Sequence, residues 1–301
     1  MRISTAQLFQ QRVTAMQNQQ VTLARTELQM STGKRLVSAA DDPAASLRNL
    51  QLLDYQTQNQ QHIENINTAQ GRLELEEGAL ASGVDLLQRM RELAVSALNA
   101  TLGPGDLQAI GVEARSLLDG MVAIANTRNA NGEYLFAGFQ VNSAPFADNG
   151  TGSVTYSGDQ GWQQLQISAD RQLAVADNGA DVFLGVNRAA GGVGSVFDIA
   201  NDFSNALAAG TPTADSLADI DAAMDQLLAI RADVGSRLRA VDDQRDINQS
   251  FGLVLDRERS DLVDLDYTEA ASRFNRELLA FQASQQVFSK AQELNLFNFI
   301  R

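Results

Sequence analysis

The stretch YTEAASRFNRELLAFQASQQVFSKAQELNLFNF, from Tyr267 to Phe299, decides much of the fold because its apolar residues recur at alternating steps of four and three. Such spacing places these residues on one face of an α-helix. Phe274, Phe281 and Phe288 lie seven residues apart on that face. A helix with such a stripe left exposed is an interaction surface, so we expect it to pack against a partner helix.

The first 30 residues show a weaker form of the same repeat. The simplest partner for each terminal helix is the other terminal helix, together with neighbouring copies of the chain. We therefore predict an assembly interface built from both ends, which comprises Phe9, Val13, Met16, Leu23, Phe274, Leu278, Phe281, Phe288 and Phe299. Four polar residues on the predicted seam weaken the pairing, namely Gln20, Glu27, Gln285 and Gln292.

Between the two ends, apolar residues spaced by seven predict helices that supercoil against a partner. One series consists of Ile66, Leu73, Leu80, Leu87 and Ala94. A second apolar series keeps a register of three and four from Leu217 to Leu262, with interruptions at Arg231, Arg245, Asn248, Gly252 and Arg259. The segment LGPGD at 102–106 separates the first series from another helix face at 107–124, and we expect Asp106 to be the N-cap of that helix.

The middle of the chain differs in composition from the helical parts and contains turn signals. Asn-Gly pairs at 131–132, 149–150 and 178–179 are typical of type I′ turns and predict β-hairpins. We therefore expect a mainly α chain with a small β-rich central insert that the helical fold could lose. The predicted domains are a terminal coiled-coil assembly domain (1–43 and 266–301), a helical rod or bundle domain (44–146 and 195–265) and a β-rich outer insert (147–194).

Composition argues against several classes of function. The net charge of −14 disfavours a nucleic-acid partner, and with no Cys and one His the chain lacks the ligands of a common zinc site. No P-loop or nucleophile elbow occurs, and no apolar run reaches the ~20 residues of a membrane span. We expect no enzymatic activity, no catalytic residue, no cofactor, no metal site, no cleavable signal peptide and no membrane insertion.

Residues 31–45 read STGKRLVSAADDPAA. Gly33 suits a helix C-cap, Asp41 or Asp42 can cap the next helix, and Pro43 suits its first turn. This stretch resembles the N-terminal signature of the bacterial flagellin superfamily, with Gly33, Arg35, Asp41, Asp42 and Pro43 as its turn. The opening MRIST and the segment NGEYLFAG at 131–138 are more similar to the branch that joins the flagellar hook to the filament.

The resemblance implies a flagellin-like nested architecture, in which the terminal helices pair as a coiled coil beside a helical bundle and the insert faces outward. It implies a structural component of the bacterial flagellum that is extracellular and secreted through the flagellar export apparatus. The implied partners are further copies in a ring or helical layer, the first hook-associated protein, flagellin, and an export chaperone on the helix from Phe274 to Phe299.

Three alternatives stay open at this point. A short flagellin, which forms the filament itself, would share the signature and differ in copy number. An intracellular coiled-coil scaffold would show similar heptads but would not need residues 33–45. A hydrolase within residues 131–194 would need paired carboxylates in a cleft, whereas most Asp residues there neighbour turn residues.

Overall fold

The computed structural model describes residues 5–99, 102–150 and 152–293. Helices dominate this part of the chain, which confirms the predicted mainly α class. They are α1 (Thr5–Thr32), α2 (Pro43–Ala97), α3 (Pro104–Ala125), α4 (Gly179–Phe183), α5 (Val196–Ala208), α6 (Ala214–Val263) and α7 (Tyr267–Glu293).

The strands are short and antiparallel, and each pairs with one neighbour. They are β1 (Phe146–Asp148) with β2 (Val154–Tyr156), β3 (Gln164–Ser168) with β4 (Arg171–Ala174), and β5 (Val186–Asn187) with β6 (Val193–Gly194). All of them fall close to the predicted β-rich segment 147–194. The connection between β1 and β2 contains Gly150, whose φ is +82°.

Two compact units divide the chain. The terminal unit takes in Met1–Gln58 and Phe251–Arg301, and the central unit takes in Asn59–Ser250. Helices α2 and α6 each contribute residues to both units. The predicted domain boundaries at 43/44, 146/147, 194/195 and 265/266 differ from this division and stay a prediction.

Helices α2 and α6 carry buried residues at seven-residue intervals along their whole lengths. On α2 these are Ala45, Leu52, Asn59, Ile66, Leu73, Leu80, Leu87 and Ala94, and on α6 they are Ile220, Leu227, Val234, Val241, Asn248 and Leu255. Side-chain contacts pair early residues of one helix with late residues of the other, as in Arg91–Asp221 and Arg231–Glu77. The two helices therefore run antiparallel, with the strict heptad spacing of a coiled coil.

The connection from α1 to α2 turns at Gly33, whose φ is +69°. Its carbonyl accepts a hydrogen bond from the N–H of Leu265 (3.0 Å), just after α6 ends. The hydroxyl of Tyr267, the first residue of α7, donates to the carbonyl of Met30 (3.2 Å). The ends of α1 and α6 and the start of α7 are thus bound together at one turn of the terminal unit.

The β-rich segment shares its core with the helices of the central unit. Ile167, Val175 and Phe183 are buried in the same apolar cluster as Leu73 and Leu118. Phe183 packs edge-on against Phe136 and Phe146, with ring centroids 5.2 and 5.3 Å apart. Removal of residues 147–194 would expose these apolar faces, which argues against our expectation that the helical fold could lose the insert.

Two local predictions need correction. Asn178–Gly179 does not form a hairpin turn, because the Asn178 side chain accepts from the N–H of Asp181 and caps α4 instead. Asp106 is not the N-cap of α3. Gly103 holds that position, and Asp106 stands three residues inside the helix, where its carboxylate accepts from the Gly103 N–H at 3.0 Å.

We expect Gly33→Ala to lower the free energy of unfolding of the terminal unit by about 1–2 kcal/mol, because an L-residue is strained at this φ. The added Cβ would also lie 3.1 Å from the Tyr267 hydroxyl oxygen. Chemical denaturation followed by circular dichroism measures the loss. The control is Gly71→Ala on α2, where an added Cβ meets nothing within 4 Å; it should stabilise by about 0.5–1 kcal/mol. Equal losses in both variants would contradict the strained turn.

We expect Phe183→Ala to cost about 3–5 kcal/mol of unfolding free energy, since it opens a cavity in the shared core. The helical circular dichroism signal should then be lost at lower denaturant concentration. Phe139→Ala is the control, because this ring is 64% exposed; its effect should stay within about 0.5 kcal/mol. Helical signal that resists denaturant as well in Phe183→Ala as in the parent would mean that the β-rich segment is energetically separate.

Candidate assembly interface

The two terminal helices pack against each other in the terminal unit. The rings of Phe9 and Phe288 lie 5.4 Å apart, and the Ser284 hydroxyl donates to the Gln19 side-chain oxygen at 2.5 Å. Nearer the turn, an Arg273 guanidinium N–H donates to the Gln29 side-chain oxygen (3.2 Å). These contacts pair the beginning of α1 with the late part of α7, so the helices are antiparallel.

Most predicted seam residues lie on the facing sides of this pair but stay incompletely buried. Half-buried residues of the predicted set are Val13, Met16, Leu23, Phe274, Leu278, Phe281 and Phe288. Phe9 is 43% exposed, and Phe299 lies outside the described residues. Of the described residues on these two helices, those with buried side chains are Thr26, Gln29 and Ala270.

The polar seam positions differ from those expected. Gln20, Glu27 and Gln285 are exposed, and their neighbours Gln19, Thr26 and Ser284 face the partner helix instead. The side chain of Gln292 is outside the described part. An α-helix has 3.6 residues per turn, so a seam that starts at Phe9 drifts from a strict seven-residue repeat. The sequence pattern carried no signal that distinguishes Gln19 from Gln20.

An apolar cavity of ≈ 220 Å³ opens between the two helices. It is lined by Arg12, Ala15, Met16, Ala283, Ser284, Val287 and Phe288. Val287 is 59% exposed beside it. Two helices cannot enclose a stripe of this width, since each apolar face spans more than one contact line. The pair therefore presents apolar surface that a further helix could cover.

The signature turn attaches to the end of α6 through Arg35. Its backbone N–H donates to the carbonyl of Val263, and its guanidinium donates to the carbonyl of Leu262, both at 2.7 Å. The last carbonyls of a helix have no partner within the helix and carry a partial negative charge. The guanidinium of Arg35 meets that need with a charged donor. The buried amide of Gln29 donates to the Arg35 carbonyl at 2.7 Å and holds the turn from the other side.

The two aspartates of the turn have separate roles. Asp42 is the cap of α2, because its carboxylate accepts from the N–H of Ala45 (3.0 Å), with Pro43 as the first helical residue. Asp41 accepts from the N–H groups of Ser38 and Val37 and forms an ion pair with Arg25 (2.6 Å). The Ser38 N–H, then that of Val37 and the charge of Arg25, hold the pKa of Asp41 below its ordinary value.

The structure thus brings Gly33 and Arg35 of the predicted turn to the end of α6, and most of the described seam residues to the side where α1 meets α7. A polar cavity of ≈ 300 Å³ lies where the turn meets these helices, lined in part by Arg25, Arg35 and Arg273. Sequence reasoning missed the roles of Gln29, Arg273 and Tyr267, because these roles depend on contacts distant in sequence. The assignment of these residues to an assembly interface stays a prediction.

Neither a membrane span nor a metal cluster occurs in the described part of the chain. None of its helices combines the length and the apolar character needed to cross a membrane. No group of three His, Asp or Glu side chains there is arranged to hold a metal ion.

Comparison with known proteins matches both ends of the chain to one superfamily. Residues 3–141 match the bacterial flagellin N-terminal helical region, and residues 217–300 match the bacterial flagellin C-terminal helical region. The first match includes the signature turn, and the second includes most of α6 and all of α7.

Relatives that match nearly the whole chain indicate which branch of the flagellin superfamily it belongs to. Flagellar hook-associated protein 3 of Escherichia coli is 30% identical over 99% of both chains, and flagellin of Bacillus subtilis is 28% identical over 90% of both. The crystal structure of the flagellar junction protein FlgL from Legionella pneumophila shares the fold, with a TM-score of 0.61 over 71% of this chain and 99% of that one, at 20% identity. The chain belongs to the flagellar hook-associated protein 3 family and is a structural component of the bacterial flagellum.

Proposed function

We propose that this chain joins the hook of the flagellum to its filament, as a layer of identical copies held together by their terminal helices. In that role it contacts the first hook-associated protein on one side and flagellin on the other. Its work is mechanical, so it needs no catalytic group and no cofactor.

The observation that carries this proposal is the incomplete burial of the seam between α1 and α7. Phe288 packs against Phe9 of α1, and Phe274, Phe281 and Phe288 are all only partly buried. Burial of apolar surface stabilises by roughly 25 cal/mol per Å², so copies that cover each other's seams gain stability. A contact that repeats from copy to copy about one axis builds a ring or an open helix, as a junction layer requires.

The alternative of a short flagellin is less well supported. The hook-associated relative is more similar, at 30% against 28% identity, and covers 99% against 90% of the chain. The two roles differ in copy number and in place. Gold-labelled antibody on intact flagella should mark a single band between hook and filament. Label along the whole filament would assign the chain to the flagellins instead.

An export chaperone on α7 belongs to the same proposal. The exposed seam of a chain before assembly is an aggregation hazard, and a partner that covers the apolar side of α7 removes it. The supporting feature is the incompletely buried aromatic row of Phe274, Phe281 and Phe288. We place the chain outside the cell in the flagellum, after secretion through the flagellar export apparatus.

We expect Phe281→Ala to leave a folded, helical and secreted protein that fails to assemble, because the lost ring belongs to the contact between copies. Truncation of a fully packed Phe costs ~3–5 kcal/mol, and a fraction of that, repeated in every copy, is enough to prevent a layer from forming. Cells that carry the variant should release flagellin unpolymerised into the medium and lose motility. Motility assays and electron microscopy of the hooks measure the outcome.

The control for this variant is Gln282→Ala, which changes the next residue on the exposed side of α7. It should leave filaments and motility intact. Normal swimming in the Phe281→Ala strain would refute the seam, and loss of motility in both strains would point to a defect of α7 in general.

A further inference from the structure

A fully buried glutamate lies where the β-rich segment meets the long helices of the central unit. Glu76 of α2 is 0% exposed, and Arg237 of α6 is 9% exposed. Asp177 lies between β4 and α4 in the sequence, and it is hydrogen-bonded to both Glu76 and Arg237. We call these three residues the Glu76 cluster. It joins three parts of the chain that are more than 50 residues apart in sequence.

The cluster attaches the β-rich segment through its backbone as well as its side chains. The N–H of Asp177 donates to Glu76 Oε1 at 3.0 Å. Arg237 forms an ion pair with the Asp177 carboxylate, and its Nη1 donates to the carbonyl of Ala174 at 3.5 Å. Residues 174–177 are therefore held by one helix on each side.

The charges within the cluster do not balance. Its two carboxylates share one guanidinium, and that guanidinium is bonded to Asp177. The other acid near Arg237 is Asp233, which lies 3.3 Å from Nε and has a side chain 71% exposed. Within the described part of the chain, Glu76 Oε2 has no hydrogen-bond partner. A buried carboxylate with an unmet oxygen is costly, whereas the neutral acid can donate from that atom.

The charged groups that face Glu76 support the neutral form. Burial of the carboxyl, followed by the nearby negative charge of Asp177, raises the pKa of Glu76 to about 8, against the opposing effect of Arg237. The nearest pair on the same two helices is Glu77 with Arg231. Its charges compensate each other and leave no excess for Glu76.

We propose that Glu76 binds a proton when the β-rich segment is docked on the helices, and that loss of this proton in alkaline medium releases the segment. An ionised Glu76 beside Asp177 would place two negative charges against one guanidinium, with the Glu76 carboxylate fully buried away from water. Separation of residues 174–187 from α2 and α6 admits water to the Glu76 carboxylate. The β-rich segment thereby responds to the pH of the medium, independently of the junction role.

The direction of the pH effect follows from linkage. A released Glu76 loses its proton near the ordinary value of 4.5, whereas the docked one keeps it to about 8. The docked state is therefore favoured fully below pH 4.5 and loses stability as the pH rises towards 8. Between these limits, the docking equilibrium constant falls up to tenfold per pH unit.

Amide hydrogen exchange of the full chain between pH 5 and 9.5 tests the proposal. After correction for intrinsic rates, protection of β3, β4 and the Asp177 amide should fall at least tenfold between pH 5 and pH 8 in the parent and level off above pH 8. Glu76→Gln, which keeps an acceptor and cannot ionise, should remove this fall and be at least tenfold better protected at pH 9. Trp162 is a second reporter, because its Nε1 donates to Asp181 at the start of α4 (3.3 Å) and its fluorescence should follow the same transition.

The matched control is Glu77→Gln, the adjacent residue on α2, which should keep the parent's transition. A transition of unchanged midpoint in Glu76→Gln would overturn the proposal, as would a parent protein without any transition. If Glu76→Gln does not fold, the proposal is tested on the parent protein alone. A ¹³C NMR titration of the Glu76 carboxyl carbon should then give a pKa near 8, and a value below 6 would also overturn the proposal.

Discussion

The antiparallel pairing of α2 and α6 is the interaction on which the rest of the central unit depends. Buried residues every seven positions, such as Leu80 on one helix and Leu227 on the other, fix which sides of the helices face each other. The polar pair in this seam specifies the register, because the buried Asn59 amide donates to the carbonyl of Asn248 (2.9 Å). Buried polar groups of this kind specify alignment at some cost in stability. The same Asn248 donates to the carbonyl of Ile167 at 3.0 Å, so the helix register also places the β3–β4 hairpin.

Periodicity predicted the helices well because a seven-residue repeat is a property of the local sequence. Ile66 to Ala94 were placed on one buried face, and all five are buried. The Asn-Gly pair at 149–150 marks the β1–β2 connection for the same reason, whereas the β3–β4 turn at 169–170 contains no such pair. The packing of the β-rich segment on the core was not predicted, because it depends on contacts between distant segments, such as those of Phe183 with Phe136 and Phe146. A turn signal shows where the chain reverses and says nothing of what the reversed segment packs on.

In the candidate assembly site too, local features could be predicted from the sequence and contacts between distant segments could not. The aromatic row on α7 and the signature turn were both visible in the sequence. The partners of that turn were not, since Arg35 acts on the carbonyls of Val263 and Leu262 at the far end of the chain. Caps such as Asp42 on α2 are local and predictable. A side chain that caps another helix is recognisable only after the two helices have been brought together.

The pairing of the first helix with the last has a consequence for the time course of folding. Gln19 and Ser284 are 265 residues apart in sequence, and Met30 and Tyr267 are 237 apart. Contacts between residues so far apart in sequence form late, because the entropy cost of closing a long loop comes before the contacts can stabilise the chain. A newly made chain can complete its central unit from residues 59–250, whereas α1 has no partner until α7 exists. Until α7 has been made, the apolar face of α1 therefore lacks the helix that packs against it.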